Sequence, residues 1–156
     1  MPELLPNLKL NLLSGGTKHL SELVPEKAII IFYRGFHCRI CFRYIRRWAA
    51  FRRQFQQLGY TVIAISADSK EKAEQTQSEW FLEDMPVAYS FPVAEAVAMG
   101  LHTSKGSGLE QPAEFMEPAL FVIDKNKLVK ISSVQNSPYA RPDVEQLLED
   151  LRAMTG

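Results

Sequence analysis

Two runs of β-branched and aromatic residues constrain the fold of this chain most strongly. Residues 28–33 read AIIIFY and residues 60–65 read YTVIAI, and neither run alternates between apolar and polar positions as a strand with a solvent face would. Between them, apolar residues from Ile40 to Leu58 recur at helical spacing and stop at Gly59, a residue favoured just beyond a helix. A buried strand, an amphipathic helix and a second buried strand predict a parallel βαβ unit in the middle of a sheet.

Period and turn residues predict the remaining elements. The chain should contain a hairpin or short strand at 8–13, a helical turn at 21–23, a helix from the Ser66–Ser69 caps to about Asp84, a strand at 87–91, a helix at 93–99, a hairpin with strands at 119–123 and 128–134, and a helix opened by Pro142 at its first position and running to about Met154. Residues 102–117 have no clear period and are predicted to form a long loop. This order predicts an α/β fold with a mixed, centrally parallel sheet.

Bulk properties exclude several classes of protein. Eighteen basic residues balance eighteen acidic ones, which argues against a chain devoted to nucleic acid. The longest apolar run, 28–33, is far shorter than the roughly 20 residues that span a bilayer. No basic segment followed by a long apolar one opens the chain, so a cytoplasmic location is expected. The seven arginines between Arg34 and Arg53 are interpreted as a solvated helix face.

The two cysteines of the chain, Cys38 and Cys41, lie at the predicted junction between the first buried strand and its helix. Free amide groups and the helix dipole favour a thiolate at such a terminus, and Arg34 and Arg39 push in the same direction, as would His37 when protonated. Residues three apart share a helical face, so a disulfide can form and reopen there. The spacing predicts a pair that alternates between dithiol and disulfide.

A proline marks a second segment for the same site. The sequence MEP at 116–118 comes directly before the predicted strand at 119–123. A proline that enters a strand after a long loop is a candidate for a cis bond, which would hold backbone beside the thiols. Pro118 is therefore predicted to support the site.

Three stretches carry a resemblance that covers nearly the whole chain: "AIIIFYRGFHCRIC", "YTVIAISADS" and "EPALFVIDKNKLVKISSVQNSPYARPDVEQLLEDL". They resemble thioredoxin-fold proteins, and specifically the peroxiredoxin-like branch of the alkyl hydroperoxide reductase and thiol-specific antioxidant family. The resemblance implies that residues 1–156 form one domain, a thioredoxin-like three-layer sandwich. It also implies an antioxidant thiol-dependent oxidoreductase that needs no cofactor or metal.

The resemblance leaves two assignments of the attacking sulfur. In the family, the peroxide-reacting cysteine follows a Thr-x-x motif and a separate arginine near the FVID strand helps to hold the peroxide. Aligned in this way, Cys41 is the peroxide-reacting position, Cys38 stands where the threonine belongs and Pro118 falls near the expected arginine. In thioredoxin the first cysteine of C-x-x-C attacks, which assigns Cys38 to disulfide exchange. Cys38 is also expected to be the more exposed sulfur.

The substrate and partners remain open between hydroperoxides and protein disulfides. Thioredoxin, glutaredoxin or glutathione would restore the dithiol, and a homodimer is compatible with the resemblance. A non-catalytic redox sensor or interaction module that uses the 102–117 segment is the alternative from another class. Zinc is disfavoured because only three histidines remain as further ligands, none at a paired spacing.

Three further residues receive an interpretation. Asp68 is expected to cap a helix. Tyr139 and Arg141 match the family's tail without a chemical role that the sequence reveals.

Overall fold

A seven-stranded sheet with helices on both faces is the centre of the computed structural model, which describes residues 4–24, 26–109 and 111–155. The elements in chain order are β1 (Lys9–Leu12), β2 (Gly16–His19), α1 (Leu20–Leu23), β3 (Lys27–Phe32), α2 (Arg39–Gln57), β4 (Tyr60–Ile65), α3 (Lys70–Glu79), β5 (Val87–Tyr89), α4 (Val93–Ala98), β6 (Thr103–Lys105), β7 (Glu114–Met116), β8 (Ala119–Ile123), β9 (Val129–Val134) and α5 (Val144–Thr155).

The strand order in the large sheet is β2-β1-β5-β4-β3-β8-β9. β3 pairs in parallel with β4, and β4 pairs in parallel with β5. The closing hairpin of β8 and β9 is antiparallel, and β8 also lies antiparallel to β3. The predicted α/β fold with a mixed, centrally parallel sheet is therefore confirmed, and β3 lies inside the sheet with a strand on each side.

Alternation along the central strands divides the core between the two faces of the sheet. Ile29 and Ile31 of β3 pack in one cluster with the buried faces of α2 and α5, whereas Ile30 and Phe32 pack in the other with α1 and α4. Both clusters are fully buried along residues 28–32 of β3, which explains why these five positions are all apolar. The N-terminus of α2 therefore lies at the end of β3, which is an inner strand of the sheet.

The segment predicted as a long loop is partly a hairpin. β6 pairs antiparallel with β7 in a separate two-stranded sheet, called here the arm, so the prediction of a loop over 102–117 was wrong. Each strand is only three residues long, too short to show a period of two in the sequence. Glu117 continues the arm, because its N–H donates to the carbonyl of His102 at 2.8 Å.

Two helix boundaries also differ from prediction. α3 ends at Glu79 rather than near Asp84, because Phe81 adopts a left-handed φ of 57° and the Leu82 N–H closes a bond of 2.8 Å to the Gln77 carbonyl. This is a Schellman ending, with phenylalanine where glycine is usual.

At the last helix, Asp143 accepts the Gln146 N–H at 2.9 Å and so caps α5. Pro142 lies before the cap rather than at the first helical position, where it was predicted. None of the helices in the described ranges has the length and apolar character needed to cross a membrane.

Candidate active site

A buried carboxylate, that of Asp68, fixes the conformation of the loop between β3 and α2. Asp68 is 4% exposed, and its Oδ2 accepts the Phe36 N–H at 2.8 Å. Gly35 lies beside it with φ 137°, and a Cβ built there would stand 2.6 Å from Asp68 Oδ1. Asp68 thus fixes the loop that leads to the cysteines. Its expected role as a helix cap was wrong, because Ser69 caps α3 through the Lys72 N–H at 3.2 Å.

The two cysteines meet at the first turn of α2. Cys38 is the N-cap residue, and its Sγ accepts the Cys41 N–H at 3.3 Å. Both are free thiols, with residue exposures of 5% for Cys38 and 0% for Cys41. The expectation that Cys38 is the more exposed of the two is therefore confirmed, although both residues are buried. Both cysteines belong to the buried cluster that also contains residues of α3 and α5.

One of these side chains is Arg141, which the chain brings from 100 residues away to the second sulfur. Its Nη2 donates to Cys41 Sγ at 2.8 Å. The Tyr44 ring lies 4.9 Å from the guanidinium carbon, and the Tyr44 hydroxyl donates to the Pro142 carbonyl at 2.7 Å. Tyr44 therefore positions both the Arg141 side chain and the backbone that carries it.

A second guanidinium, that of Arg34, approaches the first sulfur. Arg34 Nε lies 3.1 Å from Glu117 Oε1, and its guanidinium carbon lies 4.6 Å from the centre of the Phe115 ring. A side-chain hydrogen bond from Arg34 is one of the contacts that lower the pKa of Cys38. The support that Arg34 gives to the thiolate stays a prediction, and Glu117, which is 3% exposed, is the buried counter-ion of Arg34.

The surroundings separate the two thiols electrostatically. The pKa of Cys38 is lowered to about 5, and the largest cause is a hydrogen bond from the Cys41 thiol. Burial opposes this shift. The Cys41 N–H, the charge of Arg141 and a hydrogen bond from Arg34 lower the pKa further. Burial raises the pKa of Cys41, and the proximity of the Cys38 sulfur adds to this. The reduced site therefore holds one thiolate at Cys38 and one thiol at Cys41 near neutral pH.

The other predicted supports take different positions. Burial, followed by the charge of Arg34, lowers the pKa of His37, so this ring is neutral near pH 7 and packs 4.7 Å from Phe115. The predicted effect of a protonated His37 on the thiolate stays a prediction, and the structure shows the ring in a packing role. Arg39 is exposed and lines a groove of about 590 Å³ together with Phe36 and Trp80. It is not among the groups that shift the pKa of Cys38 or Cys41.

Pro118 does not hold a cis bond. The described part of the chain contains no cis peptide bond, so that prediction was wrong. The Glu117 N–H and the Pro118 carbonyl are both engaged in backbone hydrogen bonds, to His102 at 2.8 Å and from Gln135 at 2.9 Å. These bonds hold an extended passage from β7 to β8. Pro118 still lies near the site, because it lines a small cavity together with Tyr44 and Arg141.

Sequence reasoning missed the roles of Arg141, Tyr44 and Glu117. The arginine expected near position 118 is replaced by two arginines from elsewhere, Arg34 and Arg141. The only sequence signal for Arg141 was its place in the tail that matches the family, since no local spacing links residues 100 apart. The only feature of the sequence that pointed to Glu117 was an acidic residue beside a proline.

A thioredoxin-like sandwich with a dithiol at the N-terminus of its central helix defines a thiol-dependent oxidoreductase. The model of the AhpC/TSA family matches residues 2–132, and the chain belongs to this family. The family and enzyme class predicted from the sequence are therefore confirmed. No curated protein sequence matches the chain.

Solved peroxiredoxin structures share the fold at low sequence identity. BcpB from Mycobacterium tuberculosis is 20% identical with a TM-score of 0.78, and the alignment covers 97% of this chain and 95% of that one. Peroxiredoxin 6 of Arenicola marina, solved as a cysteine-to-serine mutant, is 16% identical with a TM-score of 0.80, covering 98% and 72%. Reduced Prx3 of Vibrio vulnificus in complex with hydrogen peroxide is 16% identical with a TM-score of 0.79, covering 95% and 96%.

Proposed function

We propose that this protein is a peroxidase that reduces hydroperoxides by cycling Cys38 and Cys41 between dithiol and disulfide. The observation that carries the proposal is the pair of sulfurs at the start of α2, with the Cys41 N–H on Cys38 Sγ at 3.3 Å and Arg141 Nη2 on Cys41 Sγ at 2.8 Å. These contacts stabilise a thiolate, which is the reactive form of cysteine, and supply positive charge where a peroxide oxygen becomes negative.

Burial favours a small oxidant over a protein disulfide. With residue exposures of 5% and 0%, the two cysteines offer little surface to a macromolecular disulfide, whereas a peroxide needs only a narrow approach. Family membership supports peroxidase chemistry, and one structural neighbour was solved with hydrogen peroxide. The absence of the family's arginine near position 118 does not weaken this proposal, because Arg34 and Arg141 supply guanidinium groups there.

The proposed cycle is balanced in two steps. The Cys38 thiolate attacks one peroxide oxygen, so an S–O bond forms, the O–O bond breaks and the alcohol or water leaves after taking up a proton. The Cys41 thiol then attacks the Cys38 sulfenic acid, forming the disulfide and releasing water. An external dithiol or two thiols, from thioredoxin, glutaredoxin or glutathione, supply the two electrons that restore the pair. We also propose that the cycle operates in the reducing cytoplasm.

A second assignment of the attacking sulfur has one specific observation in its favour. The Arg141 contact is made to Cys41, which is also the peroxide-reacting position by alignment with the family. We favour Cys38 because its pKa is lowered, whereas burial raises the pKa of Cys41. Both assignments end in the same disulfide.

Stopped-flow measurements with hydrogen peroxide and cumene hydroperoxide test the proposal. Trp80 is a suitable fluorescence reporter because its ring lies 6.2 Å from that of Phe36, in the loop between β3 and α2 that leads to the cysteines. Wild type should react far faster than a free thiol, Cys38→Ser should abolish the reaction, and Cys41→Ser should retain the first step but accumulate sulfenic acid.

The two single variants also decide between the assignments. Loss of the first step in Cys41→Ser alone would transfer the attack to Cys41. If all three proteins react as slowly as a free thiol, peroxide is not the substrate, and a protein-disulfide reductase or a redox sensor remains.

A further inference from the structure

The arm has a side-chain connection to the thiols that the peroxidase proposal does not use. Glu117 follows β7, and its carboxylate forms an ion pair with Arg34. Oε1 lies 3.1 Å from Arg34 Nε, and Oε2 accepts Arg34 Nη2 at 3.4 Å and the hydroxyl of Ser104 in β6. Phe115, in β7, lies against the same guanidinium at 4.6 Å. Both strands of the arm therefore contact the Arg34–Glu117 pair.

We infer that Glu117 is a positioning residue, which holds the Arg34 guanidinium against the Cys38 sulfur and so links the arm to the reactivity of the thiol. The Nη2–Oε2 hydrogen bond at 3.4 Å, together with the close approach of Nε to Oε1 at 3.1 Å, limits the directions that the guanidinium can take. The remaining N–H groups are then left for Cys38. This inference rests on the proposed function, since it concerns the thiolate that the cycle needs.

An alternative role for Glu117 predicts the opposite electrostatic effect. As a plain counter-charge, Glu117 would offset the charge of Arg34 and weaken its pull on a thiolate, so removing the carboxylate would lower the thiol pKa. As a positioning residue, its removal frees Arg34, which is 22% exposed, to turn its long side chain toward water. The Cys38 thiolate then loses a donor and its pKa rises. The sign of the change decides between the two roles.

The groups that face the reacting sulfur are few enough to interpret such a titration. Cys38 is influenced by Cys41 from α2, by Arg141 from the segment before α5 and by Arg34 from its own loop. Glu117 and His37 are the titratable groups next to Arg34, and burial keeps His37 neutral near pH 7. A change in the thiolate titration that requires Arg34 can thus be assigned to the ion pair.

The test is the thiolate titration followed by absorbance near 240 nm. Glu117→Ala should raise the thiolate pKa by about half a unit to one unit, and Glu117→Gln, which keeps one acceptor for Arg34, should raise it less. Ser104→Ala, which removes only the hydroxyl that donates to the Glu117 carboxylate, should cause a smaller rise of the thiolate pKa. The matched control is Glu145→Gln, because Glu145 pairs with Arg47 of α2 at 3.4 Å on the exposed surface.

A double variant keeps the test decisive if Glu117→Ala folds poorly. Arg34→Met with Glu117→Ala removes both charges and should titrate like Arg34→Met alone. A lowered pKa in Glu117→Ala, no change at all, or a shift that persists without Arg34 would each overturn the inference. Because the readout is a titration, it remains valid even if wild type fails to reduce peroxide, so the two proposals can fail separately.

Discussion

The two arginines at the candidate site are held in opposite ways. Arg34 has a buried carboxylate partner, Glu117, at 3.1 Å, whereas Arg141 rests on the Tyr44 ring and forms no ion pair with a carboxylate among the described residues. The charge of Arg34 is therefore already balanced before a thiolate forms, while that of Arg141 is balanced mainly by the sulfurs. We therefore expect Arg141 to contribute more to thiolate formation and Arg34 more to the stability of the fold.

The largest effect is expected on removing Arg34 together with its charge. Arg34→Met leaves Glu117 buried without its counter-ion, which should lower the free energy of unfolding by about 3 kcal/mol. Urea denaturation of the reduced proteins measures this, with Arg141→Met as the comparison and an expected loss below about 1 kcal/mol. Equal losses for the two variants would break the comparison.

The thiolate should respond in the reverse order. Arg141→Met removes the guanidinium 2.8 Å from Cys41 Sγ and should raise the pKa of the Cys38 thiol by about one to two units, more than Arg34→Met does. Arg141→Lys keeps the charge and should restore part of the shift. A larger rise in Arg34→Met would contradict the assignment of the uncompensated charge to Arg141.

The pH profile should sharpen this point. Because the pKa of Cys38 is lowered from 9.0 to about 5, the rate with hydrogen peroxide should increase as pH rises through about 5 and should be level near neutrality. The same shift stabilises the reduced fold as pH rises from about 5 toward 9, because the unfolded thiol still binds its proton there. A rate that continues to climb between pH 7 and 9 would show that an ordinary thiol reacts.

The smallest effect is expected at Tyr44. Tyr44→Phe removes the 2.7 Å bond to the Pro142 carbonyl but keeps the ring beside Arg141, so the unfolding free energy should fall by only about 1 kcal/mol. The peroxide rate should decrease a few-fold, because the backbone that carries Arg141 is held less firmly. An unchanged rate with lower stability would limit Tyr44 to a structural role.

The sequence was sufficient for the part of the site built from neighbouring residues. The buried run at 28–33, the helix that follows and the C-x-x-C pair are local patterns, so the strand-to-helix junction and its dithiol could be predicted. Long-range contacts were not accessible in this way. Arg141 meets Cys41 across 100 residues, and the Asp68 carboxylate supports a loop 32 residues earlier, so neither contact leaves a periodic signal.

Burial and backbone geometry were the other misjudged properties. The order of exposure of the two sulfurs was predicted, but their near-complete burial comes from a cluster of residues that are distant in sequence. The hairpin at 103–116 was missed because three-residue strands carry too little pattern, and a trans Pro118 has the same residue sequence as a cis one. These are properties of tertiary contacts, which single-sequence patterns do not contain.

The most direct test of the central claim is to add one equivalent of hydrogen peroxide to the reduced protein and identify the product by mass spectrometry and thiol counting. The account predicts that both thiols disappear within the fast phase, that the mass falls by two hydrogen atoms, and that a peptide containing Cys38 disulfide-bonded to Cys41 is recovered. Recovery of both free thiols, or of a stable sulfinic acid on one cysteine without the disulfide, would contradict the proposed cycle.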